Sequence, residues 1–159
     1  MQPSRGFTAI ELLVTFAVIA IVLGIAVPSF TDTLARRRVE GAANELSADL
    51  QYARTESVSR RTSVSLVATA TTGYAIQYVD SGGVSQTLKS VTLPSNVSMT
   101  TGEAKFTYLR GMLDSSVAVP TFTLSSTKTT GQLTLALSAM GRVAMCTPST
   151  AAMAGYKSC

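Results

Sequence analysis

The chain has 159 residues, 46% of them hydrophobic and only 14% charged, with a formal net charge of +4 and no His or Trp. That length suits one domain with a real core, and the charge permits contact with nucleic acid or an anionic surface without requiring either. There is no Gly-rich phosphate loop after a strand, and Asp80, Glu103 and Asp114 lie far apart in sequence, so no nucleophile can be set beside a base; enzymatic function and a cofactor are not expected.

The first element follows a short polar leader, "MQPSRG". From Phe7 to Val27 the only ionisable side chain is Glu11. The run approaches the roughly 20 apolar residues that a helix needs to cross a bilayer. A cleavable secretory signal would have a shorter apolar region followed by a small-residue cleavage site, and "VPSFTD" offers none. Arg5 suits a cytoplasmic N-terminus, whereas Arg36, Arg37 and Arg38 argue the reverse, so charge alone does not settle orientation. A lone carboxylate in such a segment costs about 2.5–3.5 kcal/mol at mid-membrane, less near the helix start.

Pro28 is expected to end or bend the first apolar stretch, with Thr31 or Asp32 able to cap a new one. The helical pattern then resumes: Val39, Ala43, Leu46, Leu50 and Ala53 share one face, and Arg36, Arg37, Glu40, Glu45, Asp49 and Glu56 are assigned to the opposite one. The spacing predicts one long helix from about Phe7 to Arg61, apolar in its first half and amphipathic in its second. Gly24 and Pro28 are its weak points in the apolar half, and Gly41 weakens one later turn by about 1 kcal/mol relative to Ala.

Beyond Arg61 the composition turns to Val, Thr, Ser and Tyr. Strands are predicted at 63–70, 74–79, 84–93, 105–109, 121–127, 132–138 and 142–146, with Gly-containing turns at 72–73, 81–83, 130–131 and 140–141. The last three should form antiparallel hairpins. Cys146 and Cys159 could be free thiols or a metal pair. With no His and no third thiol, zinc is disfavoured and a disulfide is the default, which places this part of the chain in an oxidising compartment.

"RGFTAIELL" resembles the class III signal of type IV pilins and pseudopilins: Gly6, then Phe7, then Glu11 at the fifth position after the cut. "RRRVEGAANELSADLQYARTESVSRRTSVSL", with its Ala53-Arg54-Thr55-Glu56 segment, is similar to the helix-to-strand region of minor pilins of the GspH/FimT family. The tail "SAMGRVAMCTPSTAAMAGYKSC" resembles the end of FimT/FimU proteins. Residues 71–130 carry little family signature.

The resemblance implies an α+β, type IV pilin-like fold, a long N-terminal helix packed on an antiparallel β-sheet head. It divides the chain into a prepilin leader (1–6), a transmembrane and filament-core half-helix (7–29), an amphipathic half-helix (30–62) and a β-rich head (63–159). It implies cleavage after Gly6 by a prepilin peptidase and methylation of Phe7. Glu11 would pair with a neighbour's N-terminus, and the helix around Gly24 and Pro28 would loosen in the filament. The subunit would wait in the bacterial inner membrane as a single-pass protein with a periplasmic head, meet the assembly platform, and join major and minor pilins in a pilus. Two other roles follow from the same resemblance. One is a DNA-binding pilin for natural transformation, using Arg142, Lys157 and Lys128, although Ala144 stands where relatives carry a second tail arginine. The other is a pseudopilin of a type II secretion system, in which sheet tryptophans, absent here, are common.

Overall fold

The computed structural model describes residues 7–116 and 118–159, apart from the side chains of 25–29. One helix, α1, runs Ala9–Arg60, and position 28 lies within it, so Pro28 does not end it and no new helix begins at Thr31 or Asp32. The Pro28 side chain itself lies outside the described residues.

The chain forms two compact units, Met1–Leu34 and Ala35–Cys159. In the first, the apolar side chains from Phe7 to Leu23 are exposed all round the helix. A helix that is apolar on every side requires an apolar environment that one copy in water cannot supply. Among the described residues no helix is long and apolar enough to cross a membrane.

The second unit holds the C-terminal half of α1 and eight strands: β1 Val64–Ala70, β2 Gly73–Val79, β3 Ser85–Thr92, β4 Val97–Met99, β5 Gly102–Phe106, β6 Thr121–Ser126, β7 Thr129–Leu137 and β8 Val143–Cys146. They make two antiparallel four-stranded sheets rather than one, ordered β3-β2-β1-β5 and β4-β6-β7-β8. The expected consecutive hairpins β6-β7-β8 are present, but the β6–β7 turn falls at 127–128, and Thr130 and Gly131, expected to form it, lie within β7. A backbone bond from Met99 of β4 to the carbonyl of Thr71, 2.9 Å long, ties the second sheet to the β1–β2 turn of the first.

Period-2 alternation sends Val64, Leu66, Ile76, Ala104 and Phe106 of one sheet, and Phe122, Leu124, Leu133 and Leu135 of the other, into one core. The stripe Val39, Ala43, Leu46, Leu50 and Ala53 lies in that same core, fully buried.

Two expectations are corrected. The strand placed at 105–109 lies at Gly102–Phe106, because residues after Phe106 turn sharply: Arg110 and Gly111 have φ of 67° and 61°. Asp49, assigned to the solvent face of the helix, is buried. Its carboxylate accepts from the Tyr74 hydroxyl at 2.8 Å and from Lys89 Nζ at 2.7 and 2.8 Å, fastening α1 to β2 and β3.

Candidate functional site: the helix start and the head surface

Thr8 and Glu11 have the spacing of a capping box. The Thr8 N–H and hydroxyl both donate to Glu11 Oε2, at 2.8 and 2.9 Å, and the Glu11 N–H donates to Thr8 Oγ1 at 3.3 Å. Two of the backbone donors left open at a helix start are thereby satisfied. Glu11 therefore begins the helix within its own chain, and Oε1 accepts no hydrogen bond among the described residues. Phe7 precedes this box and is almost fully exposed. The role of Thr8 was missed from sequence, although Thr-x-x-Glu ahead of an apolar run was there to be read. Gly6 lies outside the described residues. Gly24 is helical, with open space around its Cα.

In the head, Cys146 and Cys159 form a disulfide with a Cα–Cα distance of 5.0 Å. The loop that it closes is folded around Thr147, which is buried. Its hydroxyl donates to the carbonyl of Gln132 at 2.9 Å and accepts from the Met153 N–H at 2.9 Å. Met153 is buried under Gly131 of β7, so the loop is seated on the second sheet rather than projecting from it.

The basic residues singled out from sequence are not brought together. Arg142 is exposed in the β7–β8 turn, and Lys128 in the β6–β7 turn, at opposite ends of the nine-residue β7. At about 3.3 Å per residue those turns are roughly 30 Å apart. Lys157 is exposed where its carbonyl accepts from Thr147, just past β8, on the side away from Arg142. The turn that meets that of Arg142 carries Arg110. A Cβ on Gly141 would come within 2.8 Å of the Gly111 carbonyl, so the two turns touch at their glycines. Arg54 holds this junction, with Nε donating to the Gly111 carbonyl at 3.0 Å. The Ala-Arg-x-Glu segment is thus an anchor between helix and turns. Ala53 fills the core, Arg54 grips the turn, and Glu56 pairs with Arg60, whose guanidinium lies 5.0 Å from the Tyr78 ring centroid.

A cleft of about 410 Å³ opens between the end of α1 and the outer face of the first sheet. Several of its polar groups are already paired: Ser65 donates to Glu103 at 2.7 Å, and Lys105 pairs with Asp114 at 3.1 Å. Hydrogen bonds from the backbone and hydroxyl of Ser116, with help from Lys105, hold the Asp114 carboxyl down at about 2. Among the described residues no three His, Cys, Asp or Glu side chains cluster to hold a metal.

A long helix that is apolar at its start and seated on antiparallel sheets at its end, with a disulfide-closed tail, is the architecture of a type IV pilin-like protein. Residues 1–27 match the family described as "Prokaryotic N-terminal methylation motif", and residues 42–148 match "Type II transport protein GspH". The chain belongs to the GspH family. Among solved structures it is similar to the type IV minor pilin FimU of Pseudomonas aeruginosa strain PAO1, with a TM-score of 0.60 and 27% identity. That match covers 74% of this chain and 97% of FimU. A second crystal form of FimU gives a TM-score of 0.57 and 28% identity over 71% of this chain and 99% of FimU. Two curated fimbrial proteins of Pseudomonas aeruginosa are 35% identical over 81 residues, 51% of this chain and 53% of theirs. The aligned stretch thus spans about half the length of these relatives. The methylation motif implies association with a membrane or a pilus.

Proposed function

We propose that this protein is a minor type IV pilin, a structural subunit that takes part in starting and building a pilus. The observation that carries the reading is the pairing of two features in one chain. A methylation motif opens it at residues 1–27, and a head follows whose fold matches nearly the whole of a solved minor pilin.

In this reading, a prepilin peptidase cuts after Gly6 and Phe7 becomes the methylated N-terminus. The apolar half of α1 holds the subunit in the inner membrane as a single span, with the head in the periplasm, until the assembly platform moves it into the filament. The all-round exposure of Phe7 to Leu23 fits that sequence of events, since lipid and then neighbouring helices provide the apolar contact. The capping box gives Glu11 two tasks. Oε2 closes the start of its own helix, and Oε1 is left to accept from the ammonium of a neighbour's Phe7. An unpaired carboxylate in an apolar filament core is costly, so this pairing sets the register of addition. Gly24 and Pro28 are the places where the helix would loosen on packing.

A second reading, a pseudopilin of a type II secretion system, draws on the family description itself. Deleting the gene and scoring piliation, exoprotein release and DNA uptake together separates the roles. Loss of pili is the expected result. Normal pili with lost secretion would install the second reading, and normal pili with lost transformation would favour a DNA receptor.

A further inference from the structure

The junction of the two turns against α1 is built at a conformational cost and displays side chains that a solitary head has no use for. Arg110 holds φ at 67° without being Gly, next to Gly111 at 61°, and Gly141 follows at 73°. A non-glycine residue in that region costs on the order of 1 kcal/mol and persists only where its surroundings impose it. The imposing groups are Arg54, bonded to the Gly111 carbonyl, and the contact of the two glycines. A backbone bond from Leu113 to the Ala139 carbonyl, 3.1 Å, locks the two turns together.

What this rigid platform presents is apolar in the middle and cationic at the edge. Leu109 is 66% exposed and Met140 62%, with Tyr108, Met112 and Val58 also exposed. Arg110 and Arg142 flank them on the two turns. Both are exposed, and neither guanidinium has a partner among the described residues. An apolar centre of Tyr, Met and Leu with Arg, and not Lys, at its rim has the composition of a protein–protein interface.

We propose that this platform, at the C-terminal end of α1, docks the head of a different pilin-type subunit through an apolar ridge bordered by carboxylates. The inference rests on the minor-pilin reading and adds to it the face used and the chemistry of the partner. Charge selects the occupant. A second copy of this chain would set Arg110 and Arg142 against their own likes, and like charges face to face across an interface disfavour it. Nucleic acid is disfavoured by the exposed Leu and Met at the centre and by the placement of Lys128 and Lys157 at the far end of the second sheet. An anionic lipid surface is recognised by larger clusters of basic residues than the two arginines of this rim.

The test uses the full chain in piliated cells, with a photoreactive phenylalanine analogue at position 109 or 140, and at position 84 on the β2–β3 turn as a control. Mass spectrometry identifies the adducts, and the amount of this chain in sheared filaments is measured in parallel. The proposal expects adducts from 109 and 140, not from 84, joined to an acidic segment of another subunit with an N-terminal methylation motif. Arg110→Glu with Arg142→Glu should lower their yield about tenfold. Lys128→Glu with Lys157→Glu, an equal change in charge at the far end, should leave the yield unchanged and shows that the effect is local. Reversing the charge of the captured acidic residues should restore the adduct to the Arg110→Glu, Arg142→Glu variant. This rescue also rules out misfolding as the cause of the loss. Filaments that contain the chain but yield no adduct would overturn the docking proposal alone, as would adducts to a second copy, to DNA or to lipid. Absence of the chain from filaments and from every pilin complex would overturn the minor-pilin reading, and this inference with it.

Discussion

Asp49 is the side chain whose loss the head should feel in a distinctive way. Its carboxylate is buried, and it is the partner of the Tyr74 hydroxyl, which is buried too. In Asp49→Ala that hydroxyl has nothing to donate to, and a buried unsatisfied group costs about 1–3 kcal/mol. Lys89 contributes less. Its side chain is 39% exposed, can rehydrate, and keeps Glu45 at 3.7 Å, so solvent screening reduces its share to about 0–1 kcal/mol. The expected loss is therefore about 2–3 kcal/mol, or about 10 °C in Tm for a head of this size. Tyr74→Phe removes the donor and leaves Asp49 with Lys89, for a loss of about 1 kcal/mol. The double variant decides the matter. Once the hydroxyl is gone there is no orphan, so Asp49→Ala with Tyr74→Phe should be more stable than Asp49→Ala alone. Thermal unfolding of the full chain in detergent, followed by the near-ultraviolet tyrosine signal, measures all three. If the two losses simply add, the Tyr74 hydroxyl does not depend on Asp49.

Gly141→Ala must adopt a φ of 73° and bring a methyl within 2.8 Å of the Gly111 carbonyl, so a loss of at least about 2 kcal/mol is expected in the same unfolding assay. The Asp114 carboxyl is held at about 2, below its unfolded value near 3.9. Its contribution is present above that unfolded value and disappears as pH falls through about 2, and Asp114→Asn should flatten this acid arm of a stability–pH profile. Reducing Cys146–Cys159, which are 13 residues apart, should cost roughly 3 kcal/mol by the loop-entropy argument, with cleavage of the 147–158 loop by added protease as the readout.

At high pH the Asp49 cluster works in the opposite sense. Burial, then the bond to Asp49, raises the Tyr74 hydroxyl above its usual range, and the bond to Asp49 raises the Lys89 ammonium. Both contributions are complete below the unfolded values near 10 and fade as pH rises through the higher folded ones.

The helix, its buried stripe and the β6-β7-β8 hairpins were legible because each is written locally, in period 3.6 and in period 2, with Gly141 marking the β7–β8 turn; Gly131 misplaced the β6–β7 turn, because it lies in β7 under Met153. What was not legible depends on distant partners. Asp49 sits one position from Leu50 and looks like any solvent carboxylate; only the arrival of Tyr74 and Lys89, from strands that begin past residue 70, makes it a buried acceptor. β4 is three residues long and pairs with β6, so its alternation is too brief to register. The division into two sheets follows from pairings such as β1 with β5 that cross the intervening hairpin. At the helix start, Phe7 and Glu11 were read from their spacing to Gly6. Thr8 could have been read from the same stretch, because the capping box is itself a spacing rule. Arg54 was visible as part of a family segment, but its grip on Gly111 was not, since the turn it holds lies 57 positions away.

If a neighbouring subunit completes Glu11 during assembly, as proposed, the amount of this chain in sheared filaments must depend on the charge of that side chain. Glu11→Gln keeps an acceptor for Thr8 but carries no charge for a neighbour's ammonium. The expected variant is membrane-inserted, cut after Gly6 and methylated at Phe7, yet depleted from filaments about tenfold or more. Incorporation at the wild-type level would contradict that pairing and leave Glu11 as a helix cap and nothing further.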